Sequence, residues 1–155
     1  KATSRLFSYK DHNLVFLEMI KPNNSYYTIS FVTGYPVPLN ATASGKLALA
    51  HMEKEELEYY FKLESFVKFT DKTLVEKKDI LAEIKQIYKN GYSIEDEEIE
   101  LGIYALACPI YDHNNNLFGV LSLTGPIIKL KNQTQEIIKD MTDYCNKITE
   151  EIIGL

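Results

Sequence analysis

Residues 103–124 read Ile103-Tyr104-Ala105-Leu106-Ala107-Cys108-Pro109-Ile110-Tyr111, then Asp112-His113-Asn114-Asn115-Asn116, then Leu117-Phe118-Gly119-Val120-Leu121-Ser122-Leu123-Thr124. Two apolar runs flank a polar, Asn-rich turn, and this predicts a β-hairpin that Gly125-Pro126 ends. Side chains alternate between the two faces of a strand, so Ser122 and Thr124 share one face. The facing run offers the small residues Ala105 and Ala107 there. Two hydroxyls above a floor of alanines form a polar patch suited to a cavity. The competing reading is a pair of hydroxyls turned to solvent or bonded to backbone.

Upstream of the hairpin, Gly91-Tyr92-Ser93-Ile94 begins a strand that runs into the acidic block 95–100. Such a block reads as a solvated connection, and it lacks the spaced aspartates of a calcium loop. Glu95, nearest the strand, is the acid expected to point inward. Before it, Thr73-Leu74-Val75-Glu76 reads as a capping box. It opens a helix with Leu74, Leu81, Ile84 and Tyr88 on its apolar stripe and Asn90-Gly91 as its stop. Downstream, Asn132-Gln133-Thr134-Gln135 launches a closing helix with Ile137, Met141, Tyr144, Ile148 and Ile152 on one face. Strands are predicted near Leu6–Tyr9, Leu14–Ile20 and Tyr26–Val32, and helices over Thr42–Met52 and Glu53–Leu63. Without a repeat or a long linker, residues 1–155 read as a single α+β domain.

A second stretch, Pro38-Leu39-Asn40-Ala41-Thr42-Ala43-Ser44-Gly45-Lys46-Leu47-Ala48-Leu49-Ala50, runs from a loop straight into a helix with almost nothing bulky before Leu47. Gly45-Lys46 is not a phosphate loop: Asn40 and Leu47 stand where the first glycine and the magnesium-binding hydroxyl would have to be. What remains is a helix mouth whose amides on Ala43, Ser44 and Gly45 carry partial positive charge and suit a carboxylate. The plainer reading is capping by Asn40 or Thr42, with Ala and Gly there for close packing.

The 155 residues carry a net charge of -5 and are 45% hydrophobic, enough for a packed core and unsuited to gripping nucleic acid by charge. No apolar run reaches the roughly 18 residues of a membrane span, and no signal peptide opens the chain. The start at Lys1, without Met, suggests a domain cut from something longer. Cys108 and Cys145 read as buried thiols of a reducing compartment. His12, His51 and His113 fall in turns or at a helix end and read as surface residues. No nucleophile elbow, zinc signature or C-x-x-C occurs, so no catalytic residue, metal site or cofactor is expected.

Leu39-Asn40-Ala41-Thr42-Ala43-Ser44-Gly45-Lys46 resembles the L-H-A-T/S-x-x-G-K-A-L signature of effector domains in the isocitrate lyase regulator (IclR) family of bacterial transcription factors. Gly91-Tyr92-Ser93-Ile94-Glu95-Asp96-Glu97-Glu98, Gly102, Ala107, Pro109-Ile110-Tyr111-Asp112 and Ser122-Leu123-Thr124-Gly125-Pro126 are similar to that family's G-Y-x-x-D-x-E-E…G…A-P-V-x-D…S-[IV]-S-G-P. Order and spacing agree over about Leu6 to Leu155.

The resemblance implies a GAF/PAS-like curved antiparallel sheet flanked by helices and holding a small-molecule pocket. It implies a cytoplasmic homodimer or homotetramer that senses a small organic acid. DNA would be bound only through an N-terminal winged helix-turn-helix absent from this chain. The family's anion-holding amides fall on Ala43 and Ser44, its strand hydroxyls on Ser122 and Thr124, its pocket acid on Glu95 and its pocket cysteine on Ala105. Asn40, Glu95, Thr124 and Ala105 replace the usual His, Asp, Ser and Cys, which alters the pocket's volume and polarity, so the family's small keto acids do not carry over. The competing expectations are a ligand-free oligomerisation module and a thiol-dependent enzyme using Cys108.

Overall fold

The structure, a computed structural model, describes residues 2–11, 13–23, 37–63 and 66–154. Two N-terminal strands, β1 (Thr3–Lys10) and β2 (Asn13–Ile20), form a hairpin around the turn at Asp11. The predicted strand over Tyr26–Val32 lies outside the described residues. Helices α1 (Ala43–Ala50), α2 (Lys54–Leu63) and α3 (Lys77–Asn90) follow, then β3 (Ser93–Asp96), β4 (Ile103–Tyr111) and β5 (Leu117–Pro126). A short α4 (Ile127–Leu130) and a 3-10 turn at Lys131–Gln133 lead into the closing helix α5 (Thr134–Ile153).

Among the described residues the strands form one sheet in the order β2-β1-β5-β4-β3, with every neighbouring pair antiparallel. The predicted hairpin is β4–β5, and it places Ala105 opposite Thr124 and Ala107 opposite Ser122. β4 is covered on both faces, which explains why its sequence is apolar throughout. Ala105 and Ala107 join a core with Phe7, Leu47, Ile87 and Val120 on the α1 side. Tyr104, Leu106, Cys108 and Ile110 pack with Ile138, Met141 and Cys145 on the α5 side.

Three predicted details are corrected. Thr73 does not cap α3: its Oγ1 accepts the N–H groups of Phe69 and Thr70 (3.0 and 2.8 Å) and donates to the Glu98 carbonyl (2.6 Å). It therefore anchors a loop, and α3 begins behind Glu76 with no side-chain cap. Likewise α5 begins at Thr134 with no side-chain cap, after the intervening 3-10 turn. Tyr88 and Tyr144, placed on the buried stripes by periodicity, are 79% and 62% exposed. The buried positions are Ile80 and Ile87 on α3, and Ile138, Met141 and Cys145 on α5. Gly91 ends α3 as expected, in the left-handed conformation at φ 76°.

Candidate functional site

The mouth of α1 is built by its own sequence. Thr42 caps the helix, its Oγ1 accepting the Gly45 N–H at 3.0 Å and donating to the Pro38 carbonyl at 2.9 Å. Gly45 lies against the loop so closely that a Cβ would sit 2.5 Å from Leu39 Cα and 2.8 Å from the Pro38 oxygen. Small residues at this mouth thus do serve close backbone packing. Of the three amides expected to be open, Gly45 is taken by the cap, whereas the N–H groups of Ala43 and Ser44 have no partner among the described residues. Asn40 turns away and donates to the Leu74 carbonyl at 2.8 Å. Ser93 of β3 donates to the Ala43 carbonyl and ties the mouth to the sheet.

Beneath those two amides lies a narrow cavity of about 30 Å³. The structure brings all six sequence-predicted site residues together in its wall: Ala43, Ser44, Glu95, Ala105, Ser122 and Thr124. Phe7, Thr42 and Ile99 line it as well, and so does a residue that the sequence reading missed, Arg5. Arg5 is 2% exposed and donates from Nη1 to Thr124 Oγ1 at 2.8 Å. Burial lowers its pKa, but a guanidinium remains protonated at neutral pH. The signal for Arg5 was its parity: Thr3, Arg5 and Phe7 alternate as the buried face of β1. A strand begun at Leu6 leaves it out.

Glu95 projects from β3 and is 2% exposed. Its Oε1 accepts the N–H groups of Glu98 (2.7 Å) and Ile99 (3.2 Å), so it organises the turn that follows it. Burial raises its pKa to about 7, against the lowering effect of those two hydrogen bonds. The acidic block is not wholly solvated, since Glu98 is buried too. Lys46, 2% exposed, bonds Glu98 and reaches Glu83 of α3 at 3.1 Å. Burial raises the Glu98 pKa while Lys46 opposes the shift.

The histidine reading is corrected at His51, which is half-buried. Its Nδ1 lies 2.8 Å from the Leu47 carbonyl and its Nε2 3.1 Å from the Tyr111 hydroxyl. A carbonyl can only accept, so Nδ1 carries the proton and Nε2 accepts from Tyr111. Cys108 and Cys145, far apart in sequence, meet in the core, with the Cys145 Sγ donating to the Cys108 carbonyl at 3.9 Å. Burial pushes their pKa values up to about 11 and about 12, which suppresses the thiolate that nucleophilic chemistry needs. Among the described residues no group of three or more His, Cys, Asp and Glu could hold a metal ion. Nor is any helix there long and apolar enough to cross a membrane.

An antiparallel α+β domain with a polar, charged cavity under a helix mouth is the class that fold and site define. Residues 1–150 match the family described as bacterial transcriptional regulator IclR C-terminal, and the chain belongs to that family. It is 28% identical over 120 residues to the transcriptional repressor IclR of Escherichia coli (strain K12), covering 77% of this chain and 43% of that protein. The crystal structure of the Thermotoga maritima IclR superposes with a TM-score of 0.80 at 30% identity, covering 97% of this chain and 60% of that one. The inducer-binding domain of the PobR transcription factor from Acinetobacter, solved as a double mutant with 3-hydroxybenzoic acid, shares the fold at 17% identity. Its TM-score is 0.82, over 96% of this chain and 87% of that one. The chain spans about half the length of the curated relatives it matches.

Proposed function

We propose that this domain is the effector sensor of an IclR-type transcriptional regulator and that its cavity receives a small, carboxylate-bearing metabolite. The observation that carries this reading is the convergence, in one cavity, of two helix N–H groups that have no partner among the described residues and the buried guanidinium of Arg5. Both favour an anion. The ligand's carboxylate sits on the amides of Ala43 and Ser44, and Ser122, Thr124 and Glu95 hold its polar end. Ala105 keeps that wall of the cavity small, and the cavity widens as the ligand enters. The PobR inducer domain, crystallised with an aromatic acid, supports an acid as the kind of ligand this fold accepts.

Binding acts by population shift, which requires different affinities in two arrangements of the subunits or of DNA-binding halves outside this chain. The working form is a homodimer or homotetramer in the cytoplasm, with DNA contacted by that other half. The test is thermal shift and calorimetry with acetate, glycolate, lactate, pyruvate, succinate and 3-hydroxybenzoate. Wild type is compared with Ser122→Ala/Thr124→Val. An acid should stabilise wild type and bind at least tenfold more weakly to the double variant; equal binding to both would refute the site. The narrowness of the cavity favours a second reading, an oligomerisation module that has lost its ligand, and that reading predicts no shift with any acid.

A further inference from the structure

Resting on the reading that this cavity is the acid's site, we propose that an acid enters together with one proton. The proton is taken from solvent at Glu95, and the protonated Oε2 then donates a hydrogen bond to an acceptor oxygen of the bound acid. No bond of the ligand is made or broken.

The geometry carries the argument. The two backbone N–H groups of Glu98 and Ile99 both fall on Oε1, and this fixes the carboxyl's orientation. Oε2 then has no hydrogen bond among the described residues, while Glu95 stands in the cavity wall. The charges around it come from every element packed there. β1 supplies Arg5, and α1 supplies Lys46, which is bonded to Glu98 of the following turn and to Glu83 of α3. β4 and β5 supply Ala105, Ser122 and Thr124, none of them ionisable near neutral pH.

Among the described residues the cavity wall therefore holds one buried positive group and one buried carboxyl. Small organic acids are ionised at neutral pH, so the ligand brings in a second carboxylate. Of two carboxylates sharing one water-poor site, one takes up a proton. The ligand's carboxylate is held by N–H donors that stabilise its charge, whereas Glu95 titrates near neutrality before any ligand arrives. Glu95 takes the proton. The ligand class is thereby narrowed to acids that present an acceptor oxygen opposite the carboxylate.

Titration calorimetry with the same six acids, in phosphate and in Tris between pH 6 and 8, reads the proton directly. The strongest binder should take up close to one proton per bound molecule at pH 8, and its Kd should rise about tenfold from pH 6 to pH 8. In Glu95→Gln the amide oxygen can accept the two backbone N–H groups and the NH₂ can stand in for the protonated oxygen. This variant should show no proton uptake, a flat pH profile, and about tenfold tighter binding than wild type at pH 8. An acid that binds wild type without proton uptake overturns the proposal and leaves the acid site standing. So does Glu95→Gln weakening binding at every pH. If none of the six acids binds either protein, both readings fall.

Discussion

A carboxyl and a guanidinium, each 2% exposed and both in the wall of one cavity, set the chemistry of this domain at the level of single residues. Glu95 has an ordinary pKa of 4.5 and a folded value of about 7, with burial as the leading cause. Between those values the native state holds a proton that the unfolded chain has released. Glu95's contribution is therefore fully present below pH 4.5 and is lost as pH rises through about 7, a loss of about 3 kcal/mol. Glu95→Gln cannot ionise. Urea unfolding at pH 5 and pH 8 should find this variant gaining stability relative to wild type at the higher pH. A difference that does not change with pH would contradict the assignment.

At the scale of elements, α1 is the hinge of the architecture, since it carries the cavity's amides, the close-packed Gly45 and the buried Lys46. Gly45→Ala places a Cβ against backbone of the 38–42 loop, which cannot swing aside as a flexible side chain would. Its expected cost is about 2 kcal/mol, read as a lower melting temperature. Lys46→Met leaves Glu98 buried without its cation and should cost about 3–5 kcal/mol. Pairing it with Glu98→Gln should recover part of that loss in a double-mutant cycle, and strict additivity would show that the pair is not coupled.

The mouth of α1 was legible because small residues and an N-cap are local signals. Ser122, Thr124 and Ala105 were legible because strand parity alone puts them on one face. Lys46 with Glu98 was not, because a pair formed 52 positions apart leaves no local pattern. Thr73 deceived for a related reason: Thr followed three residues later by Glu is a local signature, but a tertiary contact to the Glu98 carbonyl claimed the hydroxyl.

For the whole molecule, the sheet separates two functions. One face carries the cavity and α1, and the other carries the α5 core, where Cys108 and Cys145 are sealed. With their pKa values raised to about 11 and about 12, neither thiol should react with a disulfide reagent at pH 8 until the domain unfolds. Both should then react together, and fast modification of the native protein would mean that this core opens locally. The α+β class followed from the hairpin and the helix periodicities, since both are carried within single elements. Which helix covers which face depends on packing between distant segments, and no short stretch encodes it.

The most direct measurement is a crystal structure of the domain with the tightest-binding of the six acids. The account predicts a carboxylate within hydrogen-bond distance of the Ala43 and Ser44 nitrogens, with Arg5, Ser122 and Thr124 around the rest of the molecule. An acid bound elsewhere on the domain, with this cavity still closed around nothing, would contradict it.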